Sequence, residues 1–154
     1  MDCSKYIAEQ QKIFFIARGI NYPIALEGAL KMKEISYISA EGFAAGELKH
    51  GPFALLTPGI PVVAIVAKDE TRNTMLSNIK EVKAREARVI AIAEQNDLEI
   101  ENYVDSVIRV PSINPLFSPI INSIVVQLLA YYTAVENGCP IDMPRNLAKS
   151  VTVV

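Results

Sequence analysis

Tryptophan is absent from this chain of 154 residues, histidine occurs once and cysteine twice. Cys3 and Cys139 lie near opposite ends of the sequence, neither belongs to a Cys-x-x-Cys pair, and His50 has no histidine companion. No metal-ligand spacing results, so neither a metal site nor a cofactor is expected. The same scarcity fits a reduced, cytoplasmic protein better than a disulfide-stapled one. The 15 basic and 17 acidic residues contain no basic stripe with interleaved aromatics, so nucleic acid is not an expected partner. The longest apolar run, about Ile120 to Ala134, is broken by Asn122, Ser123 and Gln127, which argues against a membrane span. Asp2, Lys5 and Glu9 stand where a signal peptide would have its apolar core. No internal repeat and no low-complexity segment is present.

Apolar residues make up 51% of the chain, enough for one domain with a real core. Residues 2 to 11 read as a short amphipathic helix, and Lys12 to Ala17 (Lys-Ile-Phe-Phe-Ile-Ala) as a buried strand. Pro61 to Ala67 is a continuous β-branched run, the pattern of a strand buried on both faces. Arg88 to Ala93 and Val104 to Val110 give two further strands, the second nearer a sheet edge. Helices are expected from Ile24 to about Glu41, from Thr71 to Ala87, and from Ser118 to about Asn137, the last closed by Gly138. Strands alternating with helices at these lengths predict an α/β fold with a mostly parallel sheet covered on both faces. The domain is expected to span residues 1–138. Residues 139–154, broken by prolines, are expected to lie over it as an extended tail.

Chemistry concentrates between Ile24 and Pro52. In the first helix Leu26, Leu30 and Tyr37 mark an expected buried stripe, with Ala25 and Ala29 beside it. Glu27, Lys31 and Glu34 follow at i, i+4 and i+7 on another face. Two carboxylates with an ammonium between them suit proton transfer, although on spacing alone such a row is more often a solvated helix face. Lys49 and His50 follow in a loop, and an imidazole with a pKa near 6.5 can carry protons at neutral pH.

Two stretches are more specific than any short motif. Tyr-Pro-Ile-Ala-Leu-Glu-Gly-Ala-Leu-Lys-Met-Lys-Glu-Ile-Ser-Tyr-Ile at 22–38 continues into Ala-Ala-Gly-Glu-Leu-Lys-His-Gly-Pro at 44–52. Met-Pro-Arg-Asn-Leu-Ala-Lys-Ser-Val-Thr-Val closes the chain at 143–153. Both resemble the isomerase half of the glutamine–fructose-6-phosphate aminotransferase family, as the second of its two sugar-isomerase (SIS) domains. The resemblance covers nearly everything after residue 12.

It implies a three-layer SIS-type fold and a set of roles. Glu34 matches the base that moves a proton between C1 and C2 of the sugar. His50 matches the residue that opens the fructose ring, reaching it from the neighbouring subunit, so a homodimer is implied. Lys149 matches the amine that forms a Schiff base with the open-chain ketose. Lys31 matches a lysine near the reacting carbons, Glu27 a carboxylate beside it, and Ala148 a backbone contact to the sugar. Arg145, four residues before Lys149, is a candidate neighbour that keeps the amine reactive. The implied substrate and product are fructose 6-phosphate and glucosamine 6-phosphate. Neither a glutaminase domain nor a first SIS domain with a phosphate-holding loop is found in these residues, and Arg18-Gly19 is too little to replace that loop. The chain is therefore expected to be one part of a longer enzyme, incomplete by itself.

Overall fold

Runs of β-branched and aromatic residues build the centre of a sheet. In a computed structural model, which describes residues 3–147, Lys12–Ala17 forms strand β1 and Pro61–Val66 forms β3, with all six positions of β3 buried. Ser39–Ala44 is β2, Arg88–Glu94 β4 and Ser106–Val110 β5. The five strands pair in parallel in the order β2-β1-β3-β4-β5. Helices α1 (Cys3–Ala8), α2 (Tyr22–Ser36) and α4 (Ser118–Glu136) cover one face, and α3 (Arg72–Lys83) covers the other. The expected three-layer α/β architecture is therefore present.

The period of two along each strand divides the core. Phe15, Val63, Ile65, Ile90 and Ile92 meet α1, α2 and α4. Phe14, Ile16, Val62, Ala64 and Val89 meet α3. Because α2 leaves β1 for one face and α3 leaves β3 for the other, the carboxyl ends of β1 and β3 flank the switch point of the sheet.

Helix α2 corrects the sequence reading in two ways. Its buried residues are Ala25, Gly28, Ala29, Met32 and Ser36, whereas Leu26 and Leu30 are 42% and 43% exposed. The helix packs through its smallest side chains because the backbone comes very close: a Cβ on Gly28 would lie 2.8 Å from the Phe15 ring. Helix α2 also stops at Ser36 rather than Glu41. Tyr37 adopts a left-handed conformation (φ 62°), which ends the helix, and β2 begins two residues later. An edge strand with one side open needs no β-branched run, and Ser-Ala-Glu-Gly-Phe-Ala has none.

Gly42 in β2 accepts a second close helix–strand approach, this one backbone to backbone. A Cβ there would stand 2.8 Å from the Ala25 carbonyl oxygen and 2.9 Å from Leu26 Cα. On the far side of α2, helix α4 buries Val126, Leu129, Ala130 and Thr133 and leaves Ile120, Ile124 and Leu128 exposed. Pro115–Glu136 has a mean hydropathy of 1.4, so by length and composition this segment is apolar enough to cross a membrane, contrary to the expectation from its polar interruptions. In the domain one side of it forms core with the sheet and α2. Gly138 closes α4 at φ 65°, as its position predicts. No helix or strand follows among the described residues.

Candidate functional site

Three side chains of the predicted set come together on α2. Helical spacing brings Glu27, Lys31 and Glu34 onto one face. The Lys31 ammonium lies 2.5 Å from Glu34 Oε2, and Glu27 Oε1 accepts a hydrogen bond from Gln127 Nε2 of α4 at 3.2 Å. The hydrogen bond to Glu34 raises the pKa of Lys31 above its ordinary value; burial opposes this, and the charges of Glu34 and Glu27 add to the rise. Lys31 and Glu34 are each about one-third exposed, at 32% and 29%. The row therefore sits on an open surface, flanked by the exposed Leu26 and Leu30. A pocket of about 410 Å³ lies elsewhere, between α1, β5 and α4, lined by Cys3, Ile108, Val125 and Tyr132 among others.

His50 does not join this row within one molecule. It ends a 3-10 turn, Ala45–His50, that follows the carboxyl end of β2 and buries Ala45 and Leu48 in the α3-side core. Glu34 lies near the end of α2, on the opposite face, just before β2 begins. The six residues of β2 separate the two levels by roughly 17–20 Å at about 3.3 Å each. His50 is exposed.

Arg145 returns to the C-terminal end of α2. Its backbone N–H donates to the Tyr37 hydroxyl at 2.9 Å, and its guanidinium stands 4.1 Å from the centre of the Tyr37 ring. Ala148 and Lys149 lie outside the described residues. At the switch point of the sheet, Arg18 donates to Asn78 Oδ1 at 2.9 Å, which commits part of its guanidinium to α3. Asp69 Oδ1 accepts from both the N–H and the hydroxyl of Thr71, closing the turn after β3.

Residues 6–137 match the SIS domain family. The chain belongs to it. The SIS chain is 62% identical over 152 residues to the glutamine–fructose-6-phosphate aminotransferase (isomerizing) of Methanosarcina acetivorans, covering 99% of this chain and 25% of that protein. It is 52% identical to the enzyme of the same name from Leifsonia xyli, again covering 25% of it. It thus spans about a quarter of the length of the curated relatives it matches. Among solved structures, the C-terminal domain of glucosamine-fructose-6-phosphate aminotransferase from Francisella tularensis superposes with a TM-score of 0.83 at 39% identity, over 91% of this chain and 40% of that one. Glucosamine-6-phosphate deaminase from Thermotoga maritima gives 0.73 at 25% identity, over 97% and 45%.

Two residues beside the acid row escaped the sequence reading. Gln127 holds Glu27 from a helix a hundred positions away, and no local pattern announces that pairing. Tyr37 was read as buried helix; its signal was the aromatic ahead of Ile38 and Ser39, where the helical pattern fails.

Proposed function

We propose that this SIS domain is the isomerase half of an enzyme that converts fructose 6-phosphate and glutamine-derived ammonia into glucosamine 6-phosphate. The observation that carries this reading is the Lys31–Glu34 pair, with Glu27 beside it, on a helix face left open to receive a ligand. The high identity to named aminotransferases supports it.

The chemistry divides among the residues as follows. His50 of a neighbouring subunit shifts a proton to open the furanose ring, in keeping with its separation from Glu34 within one chain. The Lys149 amine adds to the C2 carbonyl and expels water, giving a Schiff base; ammonia then displaces lysine. Glu34 removes a proton from C1 and returns one to C2, so one carboxylate serves both half-steps. The Lys31 ammonium, kept charged by Glu34, stabilises the negative charge that develops between the two carbons. Glu27, Arg145 and Ala148 contact the sugar. No cofactor or metal is invoked.

The exposed acid row requires other surfaces to exclude water. A homodimer, a first SIS domain holding the phosphate and a glutaminase domain supplying ammonia are the partners proposed. Cys3 and Cys139 are not joined in a disulfide, which suits a cytoplasmic setting. The test is borohydride reduction of the full-length protein with fructose 6-phosphate, followed by peptide mapping. Stable labelling of Lys149 is expected. A folded protein that binds the sugar without labelling would instead be a non-catalytic phosphosugar-binding module.

A further inference from the structure

Tyr37 is odd on three counts. It is a bulky aromatic residue in the left-handed region, where glycine or asparagine is the ordinary occupant. It stands one turn beyond Glu34, at the point where α2 ends. Both of its binding features, the hydroxyl and the ring face, are spent on Arg145, 108 positions later. The hydroxyl accepts from the Arg145 backbone and the ring carries the Arg145 guanidinium. One contact fixes the main chain and the other fixes the side chain. Asn146, the next residue, is left-handed as well (φ 61°), so the chain turns at the place where it is held.

We propose that Tyr37 is a positioning residue that clips the Arg145 segment to the end of α2 and thereby keeps Lys149 within reach of Glu34. This rests on Lys149 being the amine that captures the sugar, as proposed above. Four residues separate Arg145 from Lys149, at most about 14 Å of extended chain. Tyr37 caps the helix three residues after Glu34, so the two stand at the same end of α2. A chain pinned at Arg145 can therefore bring an amine with a four-carbon stem to Glu34. An unpinned tail would offer its lysine only part of the time.

The full-length protein tests this with Tyr37→Leu, Tyr37→Phe and Arg145→Gln. In Tyr37→Leu, borohydride trapping of fructose 6-phosphate at Lys149 is expected to slow about tenfold, kcat to fall in parallel, and KM to stay within about threefold, because the phosphate is held elsewhere. Tyr37→Phe keeps the ring and loses the hydroxyl, so it should restore most of the rate. Trypsin should cut after Arg145 several-fold faster in Tyr37→Leu than in the parent, a readout independent of catalysis. If Tyr37→Leu does not fold, Arg145→Gln, which removes the cation from the ring and keeps the N–H, is compared by trapping at saturating fructose 6-phosphate, where a lost sugar contact no longer limits the rate. A folded variant that traps at the parental rate overturns the role of Tyr37 alone. A parent protein that never labels Lys149 overturns the isomerase reading and this proposal together.

Discussion

Lys31 and Glu34 sit one turn apart on α2 and meet at 2.5 Å, so neither charge on this face is isolated. The pair gives the lysine a definite pH behaviour. Its folded pKa is raised, so its contribution to stability is full below the unfolded value near 10.4 and is lost as pH rises through the folded one. Lys31→Met should abolish that alkaline step in a urea titration against pH. It should also lower kcat of the full-length enzyme by about 100-fold, the scale for losing one preorganised charge at a reacting centre.

Glu34→Gln separates two stages of the reaction. The amide cannot carry the proton from C1 to C2, so turnover should fall by about 10²–10⁴-fold. Lys149 should still be trapped by borohydride, since Schiff-base formation precedes that transfer. Solvent-deuterium incorporation into the product, followed by mass spectrometry, measures the first effect. Loss of both signals together would assign Glu34 to binding instead.

Complementation tests the supply of His50 from a partner. Glu34→Gln and His50→Ala are each expected to be inactive. Mixed and allowed to exchange subunits, they should recover about a quarter of the parental activity, because half of the dimers are hybrids with one intact site each. Acting within one chain, the two residues would give no recovery.

The Arg72–Asp97 pair should matter for stability alone. Arg72 donates to both carboxylate oxygens of Asp97 at 2.8 and 2.7 Å, and Asp97 is buried. The hydrogen bond from Arg72 holds the Asp97 carboxyl below its ordinary range, although burial pulls the other way. A depressed folded pKa stabilises above the unfolded value of about 3.9 and loses that stabilisation as pH falls through the folded one. Asp97→Ala should cost about 3 kcal/mol at pH 7 by leaving the largely buried Arg72 guanidinium with only the exposed Glu99 as its partner. The gap to the parent should narrow as pH falls below the unfolded value and through the depressed folded one.

Gly42→Ala probes how the acid row is seated. The new methyl would meet the backbone of Ala25 and Leu26 under 3 Å, so α2 must shift or β2 must fray. A loss of about 1–3 kcal/mol in urea denaturation is expected, accompanied by weaker Lys149 trapping.

Much of the fold was legible because buried parallel strands write themselves as unbroken apolar runs. Lys12 to Ala17 was read to its ends, and Pro61 to Ala67 missed by one residue. What escaped was set by proximity and not by pattern. β2 is half-exposed and carries a glycine where the helix backbone crosses it. Leu26 and Leu30 looked like core because they are large, yet α2 turns its small residues inward. The acid row was legible from spacing alone, since a rigid helix converts sequence intervals into geometry. The division of His50 from Glu34 was not, because it depends on which face each connection crosses.

That division has a bearing on concentration. Strand β2 would have to leave the sheet before one molecule could close an imidazole over its own carboxylate. If both are used on one sugar, the working unit is the pair and not the chain. Dilution should then silence ring opening first, while open-chain ketose supplied ready-made continues to be captured by molecules standing alone.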